Sequence, residues 1–128
     1  MNRLTATVTA IEAHEALHMI TLEASDLTWS VQTLQLPAHV SVGRTLTLSF
    51  NSNDVLITSR DVLVGVENSF FGTIEKIEAG SIMTRLHVTT DAGKFYAMVS
   101  RRALAKLDKP RNVALHIAAN NIALSEHS

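Results

Sequence analysis

TATVTAIEA, residues 5 to 13, lies over FGTIEKIEA, residues 71 to 79, so that Thr7 meets Thr73, Val8 meets Ile74, Ile11 meets Ile77 and both segments end in Ile-Glu-Ala. The offset is 66 residues. Further along, GRTLTLSFNSNDVLITS (43 to 59) lies over PRNVALHIAANNIALSE (110 to 126) at an offset of 67, pairing Arg44 with Arg111, Leu48 with Leu115, Asn53 with Asn120 and Ile57 with Leu124. Two blocks in the same order and spacing, with one residue of slippage between them, mark a duplicated structural unit. The boundary falls between residues 1–62 and 63–128.

Each copy reads as strands. LTATVTAI, HMITLEA, LTWSVQTL and RTLTLSF alternate apolar and polar positions, and threonine and β-branched residues crowd places where a helix would carry Leu, Ala, Glu or Lys. Turn-forming clusters separate them at Ser25-Asp26, Asn51-Ser52-Asn53, Glu78-Ala79-Gly80-Ser81, Asp91-Ala92-Gly93 and Asn120-Asn121. SRRALAKL is the one good helical stretch, with Ser100 as N-cap and Pro110 beyond its end; its counterpart QLPAHVSVG reads as a turn of helix after Pro37. Five short strands and a small helix per copy predict an all-β chain of two tandem barrels of the oligonucleotide-binding type.

That reading decides the most suggestive motif in the chain. HEALH, residues 14 to 18, has the spacing of a zinc protease, which needs a helix that puts both histidines on one face with the glutamate as general base. Under the repeat it lies over GSIMT, residues 80 to 84, a Gly-Ser turn leading into a strand. His14 and His18 are therefore expected to straddle a hairpin turn, with no zinc and no catalysis. His39, His87, His116 and His127 are scattered and read as structural or solvent-facing.

Composition narrows the classes further. A chain of 128 residues with 46% hydrophobic content can bury a core of its own. It has no apolar run of 18 residues, and its N-terminus lacks the core of a signal peptide, so neither membrane insertion nor export is indicated and a cytoplasmic address is the default. Without cysteine there is no disulfide, thiolate metal site or thiol nucleophile. The formal net charge of −1 is far from that of a protein tracking nucleic acid. It is unevenly spread, however: residues 1–66 carry three basic and six acidic side chains, and residues 67–128 carry eight and six.

VGVENSFFGTIEKIE (64 to 78) and FNSNDVLIT (50 to 58) resemble the opening signature and the Lys-Ser-Thr-Asp-Val segment of the tandem molybdopterin-type oxyanion domains, the Mop or TOBE domains. The resemblance spans nearly the whole chain, and the order of its parts looks most like the C-terminal regulatory segment of a molybdate importer's ATPase. It implies two five-stranded barrels that exchange strands, a homodimer, and binding of a tetrahedral oxyanion, molybdate or tungstate, as ligand, with no other cofactor. Such a dianion needs short hydrogen bonds from backbone amides and hydroxyls in a dry site. In the signature the family's asparagine is kept as Asn68, its serine is Gly65 and its arginine is Glu67; at the second family site the lysine is Asn51, Ser52 remains, and the second copy has Ala118-Ala119.

The ligand-binding candidates that follow are Asn51, Ser52, Gly65, Val66, Asn68, Ser100 and Arg101, with Arg102 beside them. Each has a plainer reading. Asn68 and Ser100 suit a cap or turn, Asn51 and Ser52 a hairpin turn, and the two arginines a solvated helix face. Two other functions compete with oxyanion sensing: a ligand-free dimerisation scaffold, and a nucleic-acid module built on the basic run Lys94, Arg101, Arg102, Lys106, Lys109 and Arg111 with Phe95 and Tyr96 to stack bases. Against the last, Trp29 and Phe95 hold matching strand positions that suit a core.

Overall fold

A computed structural model describes residues 1–107 and 111–127. Lys109 of the basic run and Pro110, read as lying beyond the helix, are outside the described residues. Ten strands follow one another: β1 (Asn2–His14), β2 (Leu17–Ala24), β3 (Leu27–Thr33), β4 (Thr45–Phe50), β5 (Leu56–Ser59), β6 (Asn68–Ala79), β7 (Met83–Thr90), β8 (Gly93–Ser100), β9 (Asn112–Ile117) and β10 (Ala123–Glu126). They form two five-stranded sheets, β10-β4-β1-β2-β3 and β5-β9-β6-β7-β8. The fifth strand of each copy has crossed into the other copy's sheet, as the resemblance implies.

The duplication extends to details the sequence hides. β1 and β6 share one burial pattern over their first nine residues. Each also breaks register with its hairpin partner at the same place, between Val8 and Ala10 and between Ile74 and Lys76. An extra residue there bends the strand and increases its twist, so the front half can pair with one neighbour while the back half curls over with another. The bulge is pinned in both copies: Val8 N–H donates to Arg44 O at 2.9 Å, and Ile74 N–H to Arg111 O at 2.8 Å. Gly72 sits just before the second bulge, where a Cβ would come within 2.6 Å of Val88 Cγ1 and 2.7 Å of Leu115 Cδ1. The first copy has Ala6 at this position, packed in the core at 2% exposure.

Alternation supplies the core. Val8, Ile20, Leu22, Val31, Leu46 and Leu48 from the first sheet join Ile74, Leu86, Val88, Val113, Leu115 and Ile117 from the second in one continuous cluster. Its junction is aromatic. Trp29 lies 4.3 Å from Phe70, 5.8 Å from Phe50 and 6.0 Å from Phe95 between ring centroids. Trp29 and Phe95 thus both face a core, as their matching strand positions suggest, and Phe95 has no surface on which to stack a base.

Two local expectations change. A single short α-helix, α1 (Arg101–Leu104), is present among the described residues, and the first copy has no helix to match it. In its place Val40 N–H donates to Pro37 O and Arg44 N–H to Ser41 O, two tight turns in succession. Proline, two valines and Gly43 at φ 92° give that segment no helical run to propagate. Conversely, the asparagine-rich turns after β4 and β9 wind into 3-10 turns, Ser52–Asp54 and Ala119–Asn121.

HEALH is a hairpin turn. His14 pairs with Leu17 and Ala13 with His18, so the two histidines project from opposite faces of the β1–β2 ribbon, and Glu15 takes a left-handed φ of 55° between them. No group of three metal-ligating side chains occurs among the described residues.

Candidate functional site

The candidate residues sort into three places. The first is where β6 begins. Asn68 is 1% exposed and its amide is fully engaged: Oδ1 accepts from Ser30 N–H at 2.7 Å, and Nδ2 donates to Ser30 O at 2.8 Å and Ile117 O at 3.1 Å. Ser30 lies on the outer edge of β3, so the side chain stands in for the missing strand neighbour and seals that edge. Just before it, Glu67 Oε1 accepts from Ala119 N–H at 2.7 Å, at the start of the second 3-10 turn. Val66 N–H is taken by Val64 O at 2.9 Å. Gly65 is exposed, and a Cβ there would meet nothing within 4 Å.

The second place is its counterpart across the duplication. Asn2, 3% exposed, gives Nδ2 to Tyr96 O at 2.8 Å and accepts from Tyr96 N–H at 2.7 Å, sealing the edge of β8 as Asn68 seals β3. It pairs with Phe50, which places it beside Asn51 and Ser52. Asn51 is the N-cap of the Ser52–Asp54 turn but makes no side-chain capping bond. The two corners differ in their polar groups. Met1 holds the position of Glu67, so among the described residues no carboxylate takes the first N–H of the Ser52 turn; that corner carries a hydroxyl where the other has the methyl of Ala119, and Asp54 where the other has Asn121.

Ser100 and Arg101 form the third place, at the far end of β8. Ser100 Oγ accepts from Ala103 N–H at 3.0 Å as the N-cap of α1, which is the plainer of its two readings. Arg101 N–H donates to Ile82 O, tying the helix to the β6–β7 hairpin. A shallow cleft of about 480 Å³ opens there between Ser81, Ile82, Ser100 and the two exposed arginines. The fold thus places Asn51–Ser52 beside Asn2, Gly65–Asn68 at the start of β6 and Ser100–Arg101 at the end of β8. Tyr96, the other candidate for base stacking, has the Arg85 guanidinium over its ring at 4.1 Å and His87 against its side at 4.9 Å.

Sequence reasoning missed a fourth polar cluster, on the outer face of the second sheet. His116, 3% exposed, lies between two hydroxyls: Thr58 Oγ1 at 2.7 Å from Nε2 and Ser69 Oγ at 2.7 Å from Nδ1. Burial pushes its imidazole below the ordinary value. The unfolded chain, with its histidine at about 6.5, thus binds more protons than the folded one in the window beneath that value. Stability contributed by neutral His116 is present above the unfolded value and lost as pH falls through the lowered folded one. Denaturant titrations between pH 7 and 5 are expected to show a steeper acid loss in the wild type than in His116→Gln.

Residues 66–124 match the TOBE domain family. Over 98% of its length the chain superimposes on 96% of the cytoplasmic molybdate-binding protein ModG in its molybdate-bound crystal form, with a TM-score of 0.86 at 18% identity. No curated protein matches the chain.

Proposed function

We propose, for a chain that carries a TOBE domain at residues 66–124 and shares the fold of ModG along nearly its whole length, a role as a non-catalytic module that binds a tetrahedral oxyanion, molybdate or tungstate. The observation that carries this reading is the fold itself, which aligns along nearly the whole chain with a protein whose crystal holds molybdate. Units of residues 1–62 and 63–128, a cytoplasmic setting, assembly as a homodimer and a regulatory link to the ATPase of a molybdate importer complete it.

Among the candidates, the corner of Asn51 and Ser52 is the favoured binding place. It combines a hydroxyl, a side-chain amide that makes no capping bond and the opening N–H groups of a 3-10 turn, donors suited to a dianion, while the Asp54 carboxylate that ends the turn is exposed to solvent and bonded to none of them. At the opposite corner the Glu67 carboxylate already holds the Ala119 N–H, and a second anion beside it would be repelled. The asparagines at both corners serve as seals, and their amides hold strand edges in place for the ligand-facing turns.

Calorimetric titration with molybdate, tungstate and sulfate tests this directly. Saturable heat with molybdate or tungstate is expected, Ser52→Ala should weaken it by about tenfold, the value of one hydrogen bond to a charged group, and Glu67→Gln should strengthen total binding by relieving the repulsion. No heat with any oxyanion would leave the scaffold reading in possession. Salt-sensitive binding of single-stranded DNA in the same instrument would favour the nucleic-acid reading instead.

A further inference from the structure

The buried imidazole on the outer face of the second sheet is built as a base for an exposed hydroxyl. Ser69 on β6 sits directly opposite His116 on β9, and Thr58 on β5 flanks it diagonally from the other side. Thr58 Oγ1 donates its only proton to Ser59 O at 2.8 Å. It can then only accept from the imidazole, so Nε2 carries the hydrogen and Nδ1 presents a lone pair. At 2.7 Å that lone pair takes the Ser69 hydroxyl proton. Serine donating to a neutral imidazole, itself oriented by a third group, is the arrangement that turns a weak hydroxyl into a nucleophile.

The surroundings fit a particular kind of reagent. Ser69 is exposed while His116 is sealed beneath it, so the nucleophile meets solvent and its base does not. Phe71, 63% exposed, shares the face of Ser69 two residues along β6, and Leu56, 51% exposed, lies opposite His116 on β5. Arg60, stacked 5.1 Å over the Phe71 ring, brings a positive charge to this face. Beside it, Leu27, Ser69, Phe70, Phe71 and Asp91 line a cleft of about 230 Å³. Apolar walls favour an uncharged aryl or acyl group, and the Asp91 carboxylate disfavours an anionic one. The cluster adjoins the Glu67 corner, one residue along both β6 and β9, and uses none of its donors.

We propose that Ser69 is an activated acyl acceptor that reacts with neutral activated esters. Ser69 Oγ bonds to the ester carbonyl carbon while its proton passes to His116 Nδ1. The tetrahedral adduct then collapses by breaking the bond to the aryl oxygen, which leaves as the phenolate with its electron pair. The imidazolium, its Nε2–H held by Thr58, hands the Nδ1 proton to the departing aryl oxygen, which ionises again once in solvent, and an acyl-serine is left. His116 acts on the reacting hydroxyl itself; Thr58 is a positioning residue.

The test uses the whole chain with p-nitrophenyl acetate. A burst of one p-nitrophenolate per chain is expected, with one acetyl group found on the peptide containing Ser69. The burst rate should rise with pH as His116 loses its proton, with a midpoint below the ordinary imidazole value. Ser69→Ala, a change at an exposed position, should abolish the burst, and His116→Gln should slow it by about a hundredfold, the lower end of general-base assistance. Should that buried variant fail to fold, Thr58→Val and Thr58→Ser decide: the valine should slow the burst and shift its pH midpoint, and the serine should restore both. Acetylation of Ser69→Ala at the wild-type rate, label on lysines alone, or a pH profile indifferent to Thr58 would overturn the proposal.

Discussion

Asn68→Asp is expected to cost roughly 3–5 kcal/mol of folding stability, the range for leaving an uncompensated charge in a buried site. The substitution keeps the shape of the side chain and reverses one half of its chemistry. Where Nδ2 donates to Ser30 O and Ile117 O, the aspartate would aim a carboxylate oxygen at two carbonyl oxygens in a spot that is 1% exposed. Neutralising the carboxyl with a proton restores only one donor for two acceptors. Asn2→Asp should behave alike against Tyr96 O. Urea denaturation followed by circular dichroism checks both. A loss below about 1 kcal/mol in either, the worth of an ordinary hydrogen bond, would show that the asparagines are not the seals of the two strand edges.

Trp29→Ala should cost about 3–5 kcal/mol, as large aromatic truncations in cores do. Trp29 is fully buried and touches Phe50 of its own copy and Phe70 and Phe95 of the other, so its removal opens a cavity where the two copies meet. Among the described residues its Nε1–H is buried without a hydrogen-bond partner. That makes Trp29→Phe a sharp control, since it removes the orphaned donor and keeps a ring in the cluster; it should change stability by less than about half of what the alanine does. If alanine and phenylalanine were equally damaging, the indole nitrogen rather than the ring would be holding the junction.

The architecture was legible because it was written twice. Matching residues at offsets of 66 and 67 marked the first and the last two strands of each copy, alternation marked the others, and placing HEALH over GSIMT was enough to turn a zinc motif into a hairpin that the register of His14 with Leu17 then shows. What the sequence concealed are bonds between side chains and distant backbone. Nothing in the letters joins Asn68 to Ser30, 38 residues away, or Glu67 to Ala119, 52 residues away, because a strand edge advertises no residue type. Asn68 was visible as the kept letter of a signature, and its part as an edge seal was not. His116 was readable as a structural histidine, but its cluster was hidden for a related reason: a lone histidine in an apolar strand gains its partners only when the exchange of β5 brings Thr58 alongside. The missing helix after Pro37 could have been read locally, from proline, two valines and a glycine in nine residues.

The two corners summarise how duplication and divergence combine. Both copies keep the asparagine, the 3-10 turn and the neighbouring outer strand of the other copy, and they differ in whether a carboxylate of the chain itself occupies the turn's first N–H. Under the proposed function the frame is retained at both ends, and the Asn51–Ser52 corner is the one whose turn keeps its first N–H for an external anion.

Anomalous diffraction from crystals soaked in tungstate locates a heavy oxyanion without ambiguity. A tungsten peak is expected within hydrogen-bond reach of Ser52 and Asn51, and a second at Ala119 only in Glu67→Gln. Crystals of the wild type with no ordered tungsten at either corner would contradict the proposed function.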